Sequence, residues 1–475
     1  MSAESISRRR FLARAALGLG GASWLATRGR LSLMREAFAA GNYAALPGHR
    51  SLVCVFLFGG NDAFNMFVPY EQARYDAYAG VRQGLALPRA QLLPVSGGTW
   101  GFHPQASALH TLYEEGALGI VANVGSLFEP LTLADYEQGA PLALIPPDLF
   151  SHSHQTELWQ TNRPAVPGVL REGWGGLSAD LLLAANSDPL VPLSFSTDGE
   201  NLWQAGALSG PFGLRAEQGV PVFEAFNGNS WPPQELGRSA AFQAMLAQSR
   251  THLLQRQAAT TMQETQRQAD LLRAALAAAP ELQTAFDVGN PLARQLLTVA
   301  RLIAIREALG IRRQFFFVGL GGFDTHGGHL PMHAELMLTL GEALASFYRA
   351  TQELGVADSV TAFTASEFGR TLTGNGDGTD HAWAADSLVL GGAVQGGTVH
   401  GTPISYDAAP VVGPDGSAVF GALDTGAGRF IPTWSVDQYG ATLARWMGID
   451  DSDLNSVFPN LARFAERDLG FMLAS

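Results

Sequence analysis

Arg313-Gln-Phe-Phe-Phe-Val-Gly-Leu-Gly-Gly-Phe-Asp324-Thr325-His326 runs from a short apolar stretch through glycines into an aspartate and a histidine. A continuous apolar run of this length reads as a strand buried on both faces, the signature of a parallel sheet. Glycines followed by carboxylate and imidazole are how an α/β protein delivers metal ligands to the rim of its sheet. Two further runs repeat the design: Leu52-Val-Cys-Val-Phe-Leu-Phe-Gly-Gly-Asn61-Asp62, and Val360-Thr-Ala-Phe-Thr-Ala-Ser-Glu367-Phe-Gly, the latter followed by Gly378-Thr-Asp380-His381. Together they predict one polar site assembled from distant segments.

Outward from these runs, strand-like and helical patterns alternate. A helix is expected around Gln105 to Glu115, a strand over Ala117 to Val124, another from Val191, a helix over Ala334 to Glu353 and a strand over Leu388 to Gly392. This alternation predicts an α/β fold with a mostly parallel central sheet and helices on both faces. Between 234 and 309 the composition shifts to Ala, Gln, Leu and Arg, with Pro280 and Pro291 dividing the stretch into two or three helices. This block reads as a helical insertion, covering a sheet face or the site, within one large unit spanning 45–475.

The 475 residues, 47% hydrophobic and 15% charged, describe a globular chain. The N-terminus stands apart. Ser7-Arg8-Arg9-Arg10-Phe11-Leu12 matches the twin-arginine export signal, Ala15 to Ala26 supplies a short apolar region, and Ala37-Phe38-Ala39 reads as a cleavage site. Residues 1–39 are therefore expected to direct the chain through the twin-arginine translocation machinery to the periplasm or beyond. That route carries folded chains, often with a metal already loaded. Beyond this segment no run reaches the roughly 18 apolar residues of a membrane span. Seven arginines and two glutamates lie in 1–39, so their removal changes the formal charge from −13 to −18 (23 Arg against 41 Asp plus Glu). Such an acidic surface argues against nucleic acid. All 30 basic residues are Arg, which excludes Schiff-base and P-loop lysine chemistry. The single Cys54, inside an apolar run, reads as a packing thiol and permits no intramolecular disulfide.

Asp324, His326, His329 and His333 fall within ten residues. Carboxylate plus imidazole suits Zn²⁺, Mn²⁺ or Fe²⁺, whereas calcium would take oxygen ligands. His329 and His333 would share a face if a helix begins there, and Pro331 suits its first turn. Asp62, Glu367, Asp380 and His381 complement Asp324 and His326 as candidate metal ligands, with Asn61 or Asp62 equally able to cap a helix. Arg370 is placed to meet an anionic substrate oxygen or to pair with a carboxylate. Ser151-His152-Ser153-His154 precedes a helix-like stretch, where a serine can serve as N-cap, metal-activated nucleophile or part of a metal site. Trp159, Trp174, Trp203, Trp231 and Trp383 could line a sugar groove or belong to the core.

Leu57-Phe-Gly-Gly-Asn-Asp-Ala-Phe-Asn-Met-Phe-Val-Pro-Tyr70, Ser153-His154, Gly322-Phe-Asp-Thr-His326, Ser366-Glu-Phe-Gly-Arg-Thr371, Gly378-Thr-Asp-His381 and Val457-Phe-Pro-Asn460 closely resemble the blocks of an exported, uncharacterised family called DUF1501. The resemblance runs from about Ser51 to Phe464. That family looks like a divergent branch of the alkaline phosphatase-like superfamily of phosphatases, sulfatases and phosphodiesterases. The resemblance implies that fold, a metal held by Asp62, Asp324, His326, Glu367 and His381, and Ser153 as nucleophile. It departs from the superfamily in the two-residue spacing of Asp324 and His326, in Phe368 after Glu367, and in lacking a Cys/Ser-x-Pro-x-Arg element. The function expected on these grounds is an exported, metal-dependent hydrolase of phosphate or sulfate esters, small anionic esters or sulfated glycans among them. A non-catalytic exported binding or assembly protein with the same fold is the alternative.

Overall fold

A computed structural model of the chain describes residues 43–473, apart from 139–144, 165, 167–170, 187–190, 215, 217–219, 221–239, 242–243, 249–251, 406–408 and 414–415. The export signal expected at 1–39 and Trp231 lie outside the described residues. The strands that matter are β1 (Arg50–Leu57), β2 (Leu118–Gly125), β3 (Ser194–Ser196), β4 (Phe212–Gly213), β5 (Arg313–Leu320), β6 (Val360–Ala365), β7 (Arg370–Gly374), β8 (Thr379–His381), β9 (Ala385–Leu390), β10 (Val399–His400) and β11 (Trp434–Ser435). The helices are α1 (Ala63–Met66), α2 (Gln72–Arg82), α3 (Ser107–Glu114), α4 (His152–Thr161), α5 (Trp174–Leu181), α6 (Leu253–Ala277), α7 (Pro291–Ala304), α8 (His329–Glu353) and α9 (Val436–Met447).

The main sheet has the order β10-β2-β9-β6-β1-β5-β3-β4, with β11 also joined to β2. Every pairing in it is parallel except those of β9, which runs against both β2 and β6. The fold is thus α/β with a mostly parallel central sheet, as the sequence pattern predicts. β7 and β8 form a separate antiparallel hairpin.

β1 lies at the centre, with Leu57 level with Leu320 of β5 and Phe56 level with Ala365 of β6. Its side chains alternate between two cores, which is why the run reads as continuously apolar. Val53, Val55 and Leu57 join Phe316, Val318 and residues of α7 and α8 on one face; Leu52, Cys54 and Phe56 join Phe315, Phe317 and residues of α9 on the other. Cys54 is a buried packing thiol, and burial pushes its pKa well up.

Trp159, Trp174 and Trp203 also sit in this second core and Trp383 in a third, all fully buried. The four indoles are core residues, not the walls of a sugar groove.

Within 234–309 the described residues form α6 and α7. Pro291 opens α7 rather than merely ending what precedes it, and the Asn290 side chain accepts from the amides of Leu292 and Ala293, both at 3.0 Å. Leu292, Leu296, Val299 and Ile303 then pack on the sheet. α8 begins five residues before the expected Ala334, because Pro331 falls in its first turn, where no intrahelical amide bond is lost. Among the described residues no helix is long and apolar enough to cross a membrane.

Candidate metal centre

The carboxyl ends of β1, β5 and β6 stand level, so the loops that follow them meet at one rim of the sheet. Close backbone approach holds them there. Gly59 adopts φ 118°, and a side-chain carbon at that position would run into the backbone nitrogen of Asp324. Its amide donates to Glu367 Oε1 at 2.8 Å. The Asn61 amide donates to Ser366 Oγ at 3.0 Å, and that hydroxyl donates to Leu57 O at 2.8 Å. Gly378 abuts the backbone of His326 and Gly327 in the same way, bringing the β7–β8 hairpin against the loop after β5. Gly59→Ala combines left-handed strain with a backbone clash, so it is expected to destabilise the fold by about 2–4 kcal/mol in urea unfolding.

Three imidazoles converge on the Asp324 carboxylate. His152 Nε2 lies 3.4 Å from Oδ2, while His326 Nε2 and His381 Nε2 lie 3.1 and 3.2 Å from Oδ1. Each ring is held through its other nitrogen. His152 Nδ1 lies 2.8 Å from Glu367 Oε1, His381 Nδ1 2.7 Å from Phe150 O, and His326 Nδ1 3.3 Å from Asp380 Oδ1. Arg370 donates through Nη2 to Asp324 Oδ1 at 2.7 Å, and through Nε and Nη2 to Phe323 O. Burial pushes the Asp324 carboxyl up, but the His381 bond and the Arg370 charge outweigh it and leave it below its usual value. At His381 burial lowers the pKa and outweighs the bonds to Phe150 and Asp324.

These contacts decide what the cluster can hold. A carbonyl oxygen can only accept, so His381 carries its proton on Nδ1, and Nε2 of the neutral ring presents a lone pair. His152 stands between two carboxylates, Glu367 at Nδ1 and Asp324 at Nε2. The His381 lone pair, aimed at the Asp324 carboxylate, favours a proton or a metal cation between them. His326 Nε2 stands 2.9 Å from His381 Nε2, within hydrogen-bond reach of that lone pair. His152, Asp324 and His381 offer ligand atoms within 4.8 Å of one another and could hold a metal ion. Two nitrogens and an oxygen, with the rings oriented from behind by a carboxylate and a carbonyl, fit a transition-metal site. Among the described residues two buried atoms at the rim also have no hydrogen-bond partner, Glu367 Oε2 and Arg370 Nη1.

The residues expected from sequence divide between this cluster and its surroundings. Asp324, His326, His381 and Arg370 come together. Glu367 and Asp380 stand behind histidines as their hydrogen-bond partners. Asp62 belongs elsewhere: it is buried, accepts from the Phe64 amide at the start of α1, pairs with Arg82, and lies 2.8 Å from His329 Nε2. None of these contacts is with Asp324, His326 or His381, because α2 brings Arg82 under the loop and satisfies the carboxylate there. His329 and His333 do share a helix face, with ring centroids 5.1 Å apart, but both are buried in that second network. Ser153 is exposed, and its Oγ lies 3.3 Å from Ser151 Oγ; it faces a cleft with Phe58, Thr156 and Asp198.

His152 takes part in the cluster although sequence reading gave it no role. The signal available was its position between serines at a helix start. Phe368, which departs from the superfamily pattern, packs its ring 4.4 Å from that of His381 and 4.9 Å from that of His152. It fixes the faces of two of the three convergent rings.

A family model described as a protein of unknown function (DUF1501) matches residues 49–414. No curated protein matches the chain. The crystal structure of Ps i-CgsB in complex with k-i-k-neocarrahexaose is similar at 10% identity and a TM-score of 0.35, covering 88% of this chain and 77% of that one. The crystal structure of Ps i-CgsB without that ligand gives 10% identity and a TM-score of 0.35 over 87% and 76% of the two chains.

Proposed function

The chain belongs to the DUF1501 family, and on that premise we propose that it is an exported, metal-dependent hydrolase of phosphate or sulfate esters with an alkaline phosphatase-like fold. One observation carries the reading: His152, Asp324 and His381 offer ligand atoms within 4.8 Å of one another, with the His381 Nδ1 proton already spent on Phe150 O. Beside them, among the described residues, the buried Arg370 Nη1 has no acceptor. A metal-suited donor set next to a guanidinium charge is what an anionic ester requires.

Zn²⁺, Mn²⁺ or Fe²⁺ matches the donors, and such an ion would supply positive charge where negative charge develops on the transferring group. Glu367 and Phe150 O hold the His152 and His381 rings in register. Arg370, anchored through Nη2 and Nε on Phe323 O and Asp324, sets a positive charge beside the cluster that favours an anionic ester. The open side of Asp324 gives solvent and substrate access, since its side chain is 46% exposed.

Elemental analysis of the folded protein, with hydrolysis of p-nitrophenyl phosphate and p-nitrophenyl sulfate before and after chelation, tests this. About one divalent ion per chain and chelator-sensitive turnover are expected. No retained metal would remove the reading; metal retained with no turnover of any ester would favour a binding protein, the reading supported by the exposed, base-free setting of Ser153.

A further inference from the structure

The hydrolase reading leaves open which oxygen attacks. We propose that Ser151 is the nucleophile, with His154 as its general base and Asp148 as the group that orients His154; this rests on the hydrolase reading. Ser151 is the residue that precedes α4, in extended conformation, where a serine ordinarily caps the helix with its hydroxyl. It makes no capping bond. Its Oγ lies instead 3.0 Å from His154 Nδ1, and His154 Nε2 lies 3.5 Å from Asp148 Oδ2. Serine, imidazole and carboxylate thus stand in sequence, each side chain in reach of the next, which is the arrangement that activates a hydroxyl.

The backbone is bent to make this possible. Asp148 adopts φ 51°, and its carbonyl accepts from the Ser151 amide at 2.9 Å, closing a tight turn that folds the carboxylate back toward α4. Left-handed backbone in a residue other than glycine is uncommon, and such strain gathers at functional sites. The turn is also tied to the metal centre on both sides of the hydroxyl. Phe150 O holds His381, and His152 reaches Glu367 and Asp324. Ser153, the serine expected from family resemblance, has its hydroxyl 3.3 Å from that of Ser151 and no other side-chain hydrogen bond among the described residues.

The step balances without any further reagent. Ser151 Oγ forms a bond to the phosphorus or sulfur of the ester as its proton passes to His154 Nδ1. The ester oxygen bond breaks, and the leaving alkoxide takes that proton. Water then forms a bond to the same phosphorus or sulfur, giving a proton to His154, which returns it to Ser151 Oγ as the serine leaves.

A fluorophosphonate ester tests the assignment without knowledge of the natural substrate, because an activated serine displaces its fluoride. Peptide mapping of the folded full-length chain should find the label on Ser151, in the parent protein and in Ser153→Ala, and none in Ser151→Ala. His154→Ala, or His154→Gln should the alanine variant not fold, should slow labelling by about 10²–10⁴-fold while metal content is unchanged. Label on Ser153, or a metal-loaded protein that takes no label, would overturn the assignment and leave the hydrolase reading standing. Absence of metal with Ser151 still labelled would overturn the metal dependence and leave Ser151 as the nucleophile of a metal-free hydrolase.

Discussion

Asp324→Ala is expected to lose metal more severely than any other single change at the rim. Asp324 supplies the only oxygen in the candidate ligand group, and three imidazole nitrogens and Arg370 Nη2 are arranged around it. Its removal takes away a ligand and leaves the buried Arg370 guanidinium facing the same pocket without its counter-charge, so that two cations would compete for one space. Loss of an outer partner of a metal ligand costs about 10–100-fold in affinity. Glu367→Gln, which keeps an acceptor for the Gly59 amide but weakens the support behind His152, should fall in that range, and Asp324→Ala well beyond it. Titration against a chelator of known affinity, followed by elemental analysis, measures both. If Asp324→Ala bound metal as tightly as the parent, His152, Asp324 and His381 would not be the site.

Arg82→Ala is expected to be the most destabilising substitution in the second network, by about 3–5 kcal/mol in urea unfolding, because it strands a buried carboxylate. Arg82 and Asp62 are both fully buried. The guanidinium also donates to Asn65 Oδ1 at 3.2 Å and to the carbonyls of Thr371 and Leu372. Four acceptors lose the guanidinium at once, although Asp62 keeps the Phe64 amide and Asn65 Oδ1 keeps the Tyr78 hydroxyl. The double variant Arg82→Met with Asp62→Leu, which removes both charges, should recover most of the loss, and failure to recover it would assign the cost to the carbonyls instead. Burial pushes the Asp62 carboxyl up, but Arg82 and His329 more than offset this and hold it well below the usual carboxylate range. A depressed folded-state pKa stabilises the protein above the unfolded value of about 3.9 and ceases to do so as the pH falls. The parent should therefore lose this contribution progressively below about pH 4.

Much of this arrangement was legible because strands buried on both faces write themselves as continuous apolar runs. β1, β5 and β6 could be read that way, and the polar residues directly after them had to lie at one rim. Asp324, His326 and Glu367 follow from that rule, while Arg370 and His381 are brought to the rim by the β7–β8 hairpin. His152 does not follow from it, since it lies 172 residues before Asp324 (324 − 152) and reaches the rim from a helix start outside any strand. Asp62 stands at a strand end like the others, and what separates it from them is Arg82, supplied by α2 twenty residues on (82 − 62). Local patterns fix where a side chain leaves the sheet; the identity of its partner is set by packing between elements, which spacing does not encode. The same holds for Phe368, in the sequence only a departure from the superfamily pattern, which buttresses two imidazoles in the fold.

The central position of β1 also sets a timetable. Its neighbours β5 and β6 are made long after it: Arg50 pairs with Arg313, 263 residues later, and Ser51 with Val360, 309 later. At ribosomal rates of about 5–20 residues per second, the most apolar segment of the N-terminal part waits roughly 10–50 s for its first partner. A nascent chain with such a segment unpaired is a client for chaperones, and the whole sheet, metal rim included, closes only when synthesis is nearly complete.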